Sequence, residues 1–185
     1  MMFPAANFYG IIVPAKDAEN KSGRDIMLFQ NDLYRVLGYG MSPSLLSAFE
    51  LRKQKIPYSI WEEILTHFRK DTRTEAIVRI LYDDTRGYYL QYPEEENATK
   101  AYVSYAFSYV PGEQVVLTIH SHNTMSAFFS KVDDADESVG FGIYGVVGRL
   151  DLEAPQTRFR VCINGDFLEI PLEQLFEIER SDLCE

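Results

Sequence analysis

Residues 115–137 read VVLTIHSHNTMSAFFSKVDDADE, and this stretch organises everything around it. Val115 to His120 is a run of apolar and β-branched residues, the pattern of a buried strand, and it follows a turn at Pro111-Gly112. Alternate strand residues share a face. His120 and His122, at i and i+2, therefore point to one spot if the strand runs that far. Ser130 to Val139 reads as a helix, with Ser130 as N-cap and Asp133 in the first turn.

Two imidazoles and a carboxylate form a familiar donor set for zinc. Three ligands leave the fourth tetrahedral position open, which separates a catalytic site from a closed structural one. His120, His122 and Asp133 are the candidate metal ligands. A hydrolytic site also needs a group that takes a proton from water and returns it to the leaving amine. Glu75 is the leading candidate, because it stands among polar residues just before the apolar run Ile77–Tyr82. Glu62, Glu63 and Glu50 compete with it, and spacing alone does not choose among the four.

Outward from the centre, the chain is a mixture of strands and helices, α+β in class. Ser59, with Glu62 three residues on, has capping-box spacing, and Ile60, Ile64, Leu65 and Phe68 then lie on one helical face. Ile77–Tyr82 is a strand ending in the turn Asp83–Gly87. Tyr88–Tyr92 and Ala101–Tyr109 alternate like paired strands. Phe141–Leu150, Phe159–Ile163 and Phe167–Ile170 are three more, the last two joined by Asn164-Gly165-Asp166, a hairpin signal. Leu172–Ile178 closes as a helix. Upstream, Phe8–Val13 is a strand candidate and Lys16–Arg24 a loop. Asp25–Leu37 divides into two strands at Gln30-Asn31-Asp32, with Gly38 and Gly40 breaking the second, and Ser42–Leu51 reads as a helical turn and linker. The expected organisation is a β-rich extension over residues 1–55 and a main domain over residues 56–185.

His120-Ser121-His122, seven intervening residues, Ser130, two more and Asp133 together resemble the JAMM signature of the MPN/JAB-domain metallopeptidases. In that family a glutamate well upstream precedes HxH-x7-S-x2-D, and Glu75 stands 45 residues before His120. The blocks KIPYSIWEEIL, TEAIVRILYD and IYGVVGRL look like a bacterial JAB subgroup, that of PRTRC system protein A, over about Ile56 to the end. The resemblance implies an α/β/α, cytidine deaminase-like fold with a mixed sheet flanked by helices. It implies Zn(2+) on His120, His122 and Asp133, Glu75 as general acid/base, and Ser130 placing water or stabilising an oxyanion. It also implies hydrolysis of a peptide or isopeptide bond beside the tail of a ubiquitin-like (β-grasp) protein, with an E1/ThiF-like protein from the same cassette as a further partner. A non-catalytic MPN scaffold and a zinc amidohydrolase acting on a small conjugate are the alternative functions. One departure stands out: many members have Pro after the second His, and here it is Asn123.

Composition narrows the partners. The 185 residues carry 18 Lys and Arg against 28 Asp and Glu, a formal charge of −10, which disfavours nucleic acid and anionic membranes. Aromatic content of 14% excludes a disordered chain, and no apolar run approaches the ~20 residues needed to span a bilayer. The N-terminus lacks the basic region of a signal peptide. Two cysteines are too few for a disulfide framework: Cys162 reads as core, Cys184 as exposed, and a bridge between them is the alternative. A reducing cytoplasm is the expected home. His67 reads as a surface residue, Tyr102, Tyr105 and Tyr109 as sheet packing, and Glu94–Glu96 as a solvated loop. Phe128 and Phe129 either pack beneath the helix or shape a substrate groove.

Overall fold

The computed structural model describes residues 26–30, 33–39, 46–98, 103–108, 113–138 and 141–178. The expected strand Phe8–Val13, the loop Lys16–Arg24, Tyr102, Tyr109 and Cys184 lie outside the described residues. The chain forms a mixed α/β structure. Strands β1 (Ile26–Gln30), β2 (Tyr34–Tyr39) and β3 (Leu46–Leu51) make one antiparallel sheet. Helix α1 (Tyr58–Phe68) follows, then β4 (Ile77–Asp83), β5 (Gly87–Gln91), and the hairpin β6 (Glu95–Ala98) and β7 (Val103–Ala106). Next come β8 (Gln114–Ser121), α2 (Lys131–Glu137), β9 (Phe141–Gly148), β10 (Gln156–Ile163), β11 (Asp166–Ile170) and the single turn α3 (Leu172–Leu175).

The central sheet has six strands in the order β11-β10-β9-β8-β4-β5. All its neighbours are antiparallel except β8 and β9. A parallel pair requires a crossover. Here it is the loop from His122 and helix α2, so the quoted stretch is the connection that makes the sheet mixed.

Adjacent strand residues point to opposite faces. On β10, Phe159 meets Trp61 of α1 with ring centroids 6.2 Å apart, while Arg160 binds Asp134 and Glu137 of α2. The two helices therefore cover opposite faces of the sheet. The α1 face is apolar: Ile60, Trp61, Ile64 and Phe68 are buried against Leu117, Ile119, Phe159 and Val161. Leu33, Tyr34 and Val36 join the same core, and Tyr34 stacks on Phe141 at 4.8 Å. Cys162 is buried and free, as its apolar surroundings in the sequence suggested.

Several local expectations are corrected. Residues 46–51 form strand β3, not a helical turn, because β2 offers an unpaired edge and Phe49 packs against Tyr34. Gly38 does not end β2: a register shift between Leu37 and Gly38 absorbs it, a common use of glycine at a bulge. Helix α1 begins two residues early, behind Pro57 with φ −56°, so Ser59 lies inside the helix and makes no cap. Tyr88–Gln91 pairs with β4, and β7 pairs instead with β6, which contains Glu95 and Glu96 of the expected loop. The closing helix stops at Leu175. Phe176 leaves it to bridge Ile56, both fully buried, so tertiary pairing overrides helical pattern there. Among the described residues, no helix is long and apolar enough to cross a membrane.

Candidate metal centre

The end of β8 supplies both imidazoles. His120 is still in the strand, paired with Ile77 of β4. His122 lies just beyond it, its backbone N–H donating to the Val147 carbonyl at 2.7 Å. That bond prolongs the strand path by one residue and lets the i, i+2 relation hold. The ring centroids are 5.1 Å apart. His122 Nδ1 lies 3.2 Å from the Ser126 carbonyl. A carbonyl only accepts, so Nδ1 carries the proton and Nε2 keeps a lone pair for the cleft.

Helix α2 supplies the carboxylate. The expected cap is formed: Ser130 Oγ accepts the Asp133 N–H at 3.2 Å, and Asp133 Oδ2 accepts the Ser130 N–H at 2.6 Å. With Oδ2 engaged, Oδ1 faces His120 Nε2 at 3.7 Å. Donor atoms of His120, His122 and Asp133 all lie within 4.8 Å of one another. Ligand atoms around a tetrahedral zinc stand about 3.3 Å apart, given bonds of about 2.0–2.1 Å. The trio is more open than that, and two nitrogens with one oxygen suit the ion. The residues fit a divalent metal.

Glu75 is 5% exposed, and its Oε1 is 3.9 Å from His122 Nε2. Its position is fixed by Ser121. The Ala76 N–H donates to Ser121 Oγ at 2.9 Å, and the Ser121 N–H returns a bond to the Ala76 carbonyl at 2.9 Å. Burial, with Asp133 nearby, pushes the Glu75 carboxyl up to about 7. Burial pushes His120 and His122 down, against the pull of Asp133 on the first and the Ser126 carbonyl on the second. Both imidazoles are thus held neutral at neutral pH, the form that ligates metal. The three competing glutamates are elsewhere. Glu50 pairs with Arg35, Glu63 accepts the Tyr92 hydroxyl at 2.9 Å, and Glu62 is exposed on α1.

These groups line a cleft of about 620 Å³, with Ser130, Met125 and Phe128 among its walls. Phe128 is 43% exposed and stands edge-on to His122 at 4.5 Å, so it shapes the cleft, while Phe129 lies against Arg160 at 3.7 Å. His67 lies outside the cluster, half-buried against Tyr92 at 4.7 Å.

The sequence reading missed the residues that hold the site. Ser121 is one, and a hydroxyl between two histidines at a strand end was its signal. Asn123 is another: its φ of 53° is left-handed, a conformation asparagine tolerates and proline cannot reach. The departure from the signature at this position therefore agrees with the loop path. Arg160 is the third. It is 5% exposed, donates from Nε to Glu137 at 2.7 Å and from Nη1 to Asp134 at 2.6 Å, and lies between the rings of Phe129 and Phe167. An arginine inside FRVCI was its signal.

No family model matches the chain, and no curated protein matches it significantly. Among solved structures, the solution structure of protein DSY2949 from Desulfitobacterium hafniense is similar with a TM-score of 0.47 at 16% identity. The similarity covers 65% of this chain and 90% of that one.

Proposed function

We propose that this protein is a zinc-dependent (iso)peptidase of the JAMM/MPN type, acting on an amide next to the tail of a ubiquitin-like protein. The observation that carries this reading is the convergence of His120, His122 and Asp133 on one point, with the buried Glu75 beside them. The order of motif residues and the mixed sheet crossed by α2 support the α/β/α MPN architecture.

His120 Nε2, His122 Nε2 and Asp133 Oδ1 would hold the ion. Bound zinc supplies Lewis acidity towards a carbonyl and towards water. Glu75, with a carboxyl near neutrality, takes one proton from the attacking water on Oε1. The hydroxyl adds to the acyl carbon, the carbon–nitrogen bond breaks, and Glu75 returns the proton to the leaving nitrogen. Ser130 Oγ accepts from the Asp133 N–H, which leaves its own O–H free to donate to an oxyanion in the cleft.

The test is hydrolysis of a fluorogenic amide of a ubiquitin-like tail by zinc-loaded protein. Glu75→Gln is expected to abolish turnover with zinc content unchanged. Full turnover in that variant, or turnover indifferent to chelation, overturns the reading.

A further inference from the structure

Arg79 of β4 is the only lysine or arginine among the described residues lining the cleft. It takes part in none of the ion pairs among the described residues. Its Nε is buried without a hydrogen-bond partner. The Phe107 ring covers the guanidinium at 4.2 Å, on the segment that follows β7. Burying a cation without an acid is costly, and the cost is relieved when a bound anion supplies the missing acceptors. This arginine stands out further in a chain of net charge −10, where acids abound to pair with it.

Its place relative to the metal cluster is set by register. Ile77 pairs with His120, and Arg79 pairs with Thr118, which in turn pairs with Tyr144. Residues 77 and 79 share a face, about 6.6 Å apart along the strand. That is the length of about two residues of an extended peptide. A guanidinium carries one charge in a fork matched to a carboxylate. Glu75, Asp133, Asp136 and Glu137 also line the cleft, so a multiply charged anion would meet repulsion that a single carboxylate largely escapes.

We infer that Arg79 is the anchor of a carboxylate subsite, and that the substrate bears a carboxylate within one or two residues of the bond that is cut. Naming the substrate rests on the hydrolase reading, whereas carboxylate binding at Arg79 does not. The favoured source is a chain-terminal carboxylate on a small leaving amine, an amino acid or dipeptide released from a tail. An acidic side chain is the other source of the same group.

The experiment is an NMR titration of the full chain with three probes: acetyl-Gly-Gly with a free carboxylate, its C-terminal amide, and acetyl-Gly-Asp amide. It is run with zinc and after chelation, the second arm excluding a carboxylate seated on the ion. The free acid is expected to bind about tenfold to a hundredfold tighter than its amide, the range of a charge-assisted pair. Arg79→Gln should erase that preference and Arg79→Lys should keep part of it. Tighter binding by the aspartyl amide than by the free acid assigns the subsite to an acidic side chain and overturns the terminal-carboxylate assignment. Equal binding of acid and amide by the wild-type chain, or no binding of either, overturns the subsite without any variant. Since no turnover is measured, its failure is separate from failure of the hydrolase reading.

Discussion

Asp133 accepts the Ser130 backbone N–H on Oδ2 at 2.6 Å and turns Oδ1 towards His120 Nε2 at 3.7 Å. One carboxylate thus caps its own helix and serves the cluster, and the cap orients the ligand. The bond that holds Asp133 comes from the backbone of Ser130, not its hydroxyl. Ser130→Ala is therefore expected to lose about 1 kcal/mol of stability while still binding zinc stoichiometrically. Ser130→Pro, tolerable at φ −82°, removes the N–H itself and should weaken zinc about tenfold or more. Denaturant titration and zinc titration calorimetry read the two effects separately.

Glu75 makes the metal-free protein sensitive to pH. Its carboxyl is raised by burial to about 7. A group bound to its proton more tightly in the folded state gives its full stability below the unfolded value near 4.5 and loses it as pH rises through about 7. Glu75→Gln cannot ionise. The stability difference between variant and wild type in chelator should grow in the variant's favour between pH 5 and 8 (roughly that window, from the same linkage). Parallel urea melts across the window check it, and a constant difference would contradict it.

Arg160 and Glu137 test how α2 is held against the sheet. Both are buried, and the guanidinium also reaches Asp134, so it grips the helix at two points just after Asp133. Arg160→Met leaves Glu137 buried without its partner, a loss of about 3–5 kcal/mol. Adding Glu137→Gln should recover part of it. Chemical denaturation of the single and double variants measures the recovery.

How much of this was legible beforehand follows from the range of the interactions. The donors could be read because their geometry is local: two residues apart on a strand, three apart at a helix start. The sheet hairpin at Asn164-Gly165 was legible for the same reason, with both residues at positive φ. Residues 46–51 were misread because their strand exists through pairing with β2, a partner no local pattern names. Phe176 was assigned to a helix because its bridge to Ile56 joins chain segments far apart. Choosing Glu75 from four glutamates needed Ser121 Oγ on the Ala76 N–H, again a long-range contact.

Gly148 shows how closely the loop after β8 is clamped. A Cβ there would stand 2.4 Å from the Met125 carbonyl oxygen and the Ala127 nitrogen, both backbone. The Arg149 N–H also donates to the Met125 carbonyl at 2.7 Å. Gly148→Ala must push the loop away and carry the Ser126 carbonyl from His122. We expect a loss of about 1–3 kcal/mol and weaker zinc binding, read by thermal melts with and without the ion.

The central claim is tested most directly by counting zinc. Full-chain protein, chelated and then reloaded, is expected to hold one equivalent by elemental analysis and to melt at a higher temperature for it. His120→Ala, His122→Ala and Asp133→Ala should each lose the ion and the temperature gain. Wild-type protein that binds no zinc, or ligand variants that hold it as well as wild type, would contradict the account.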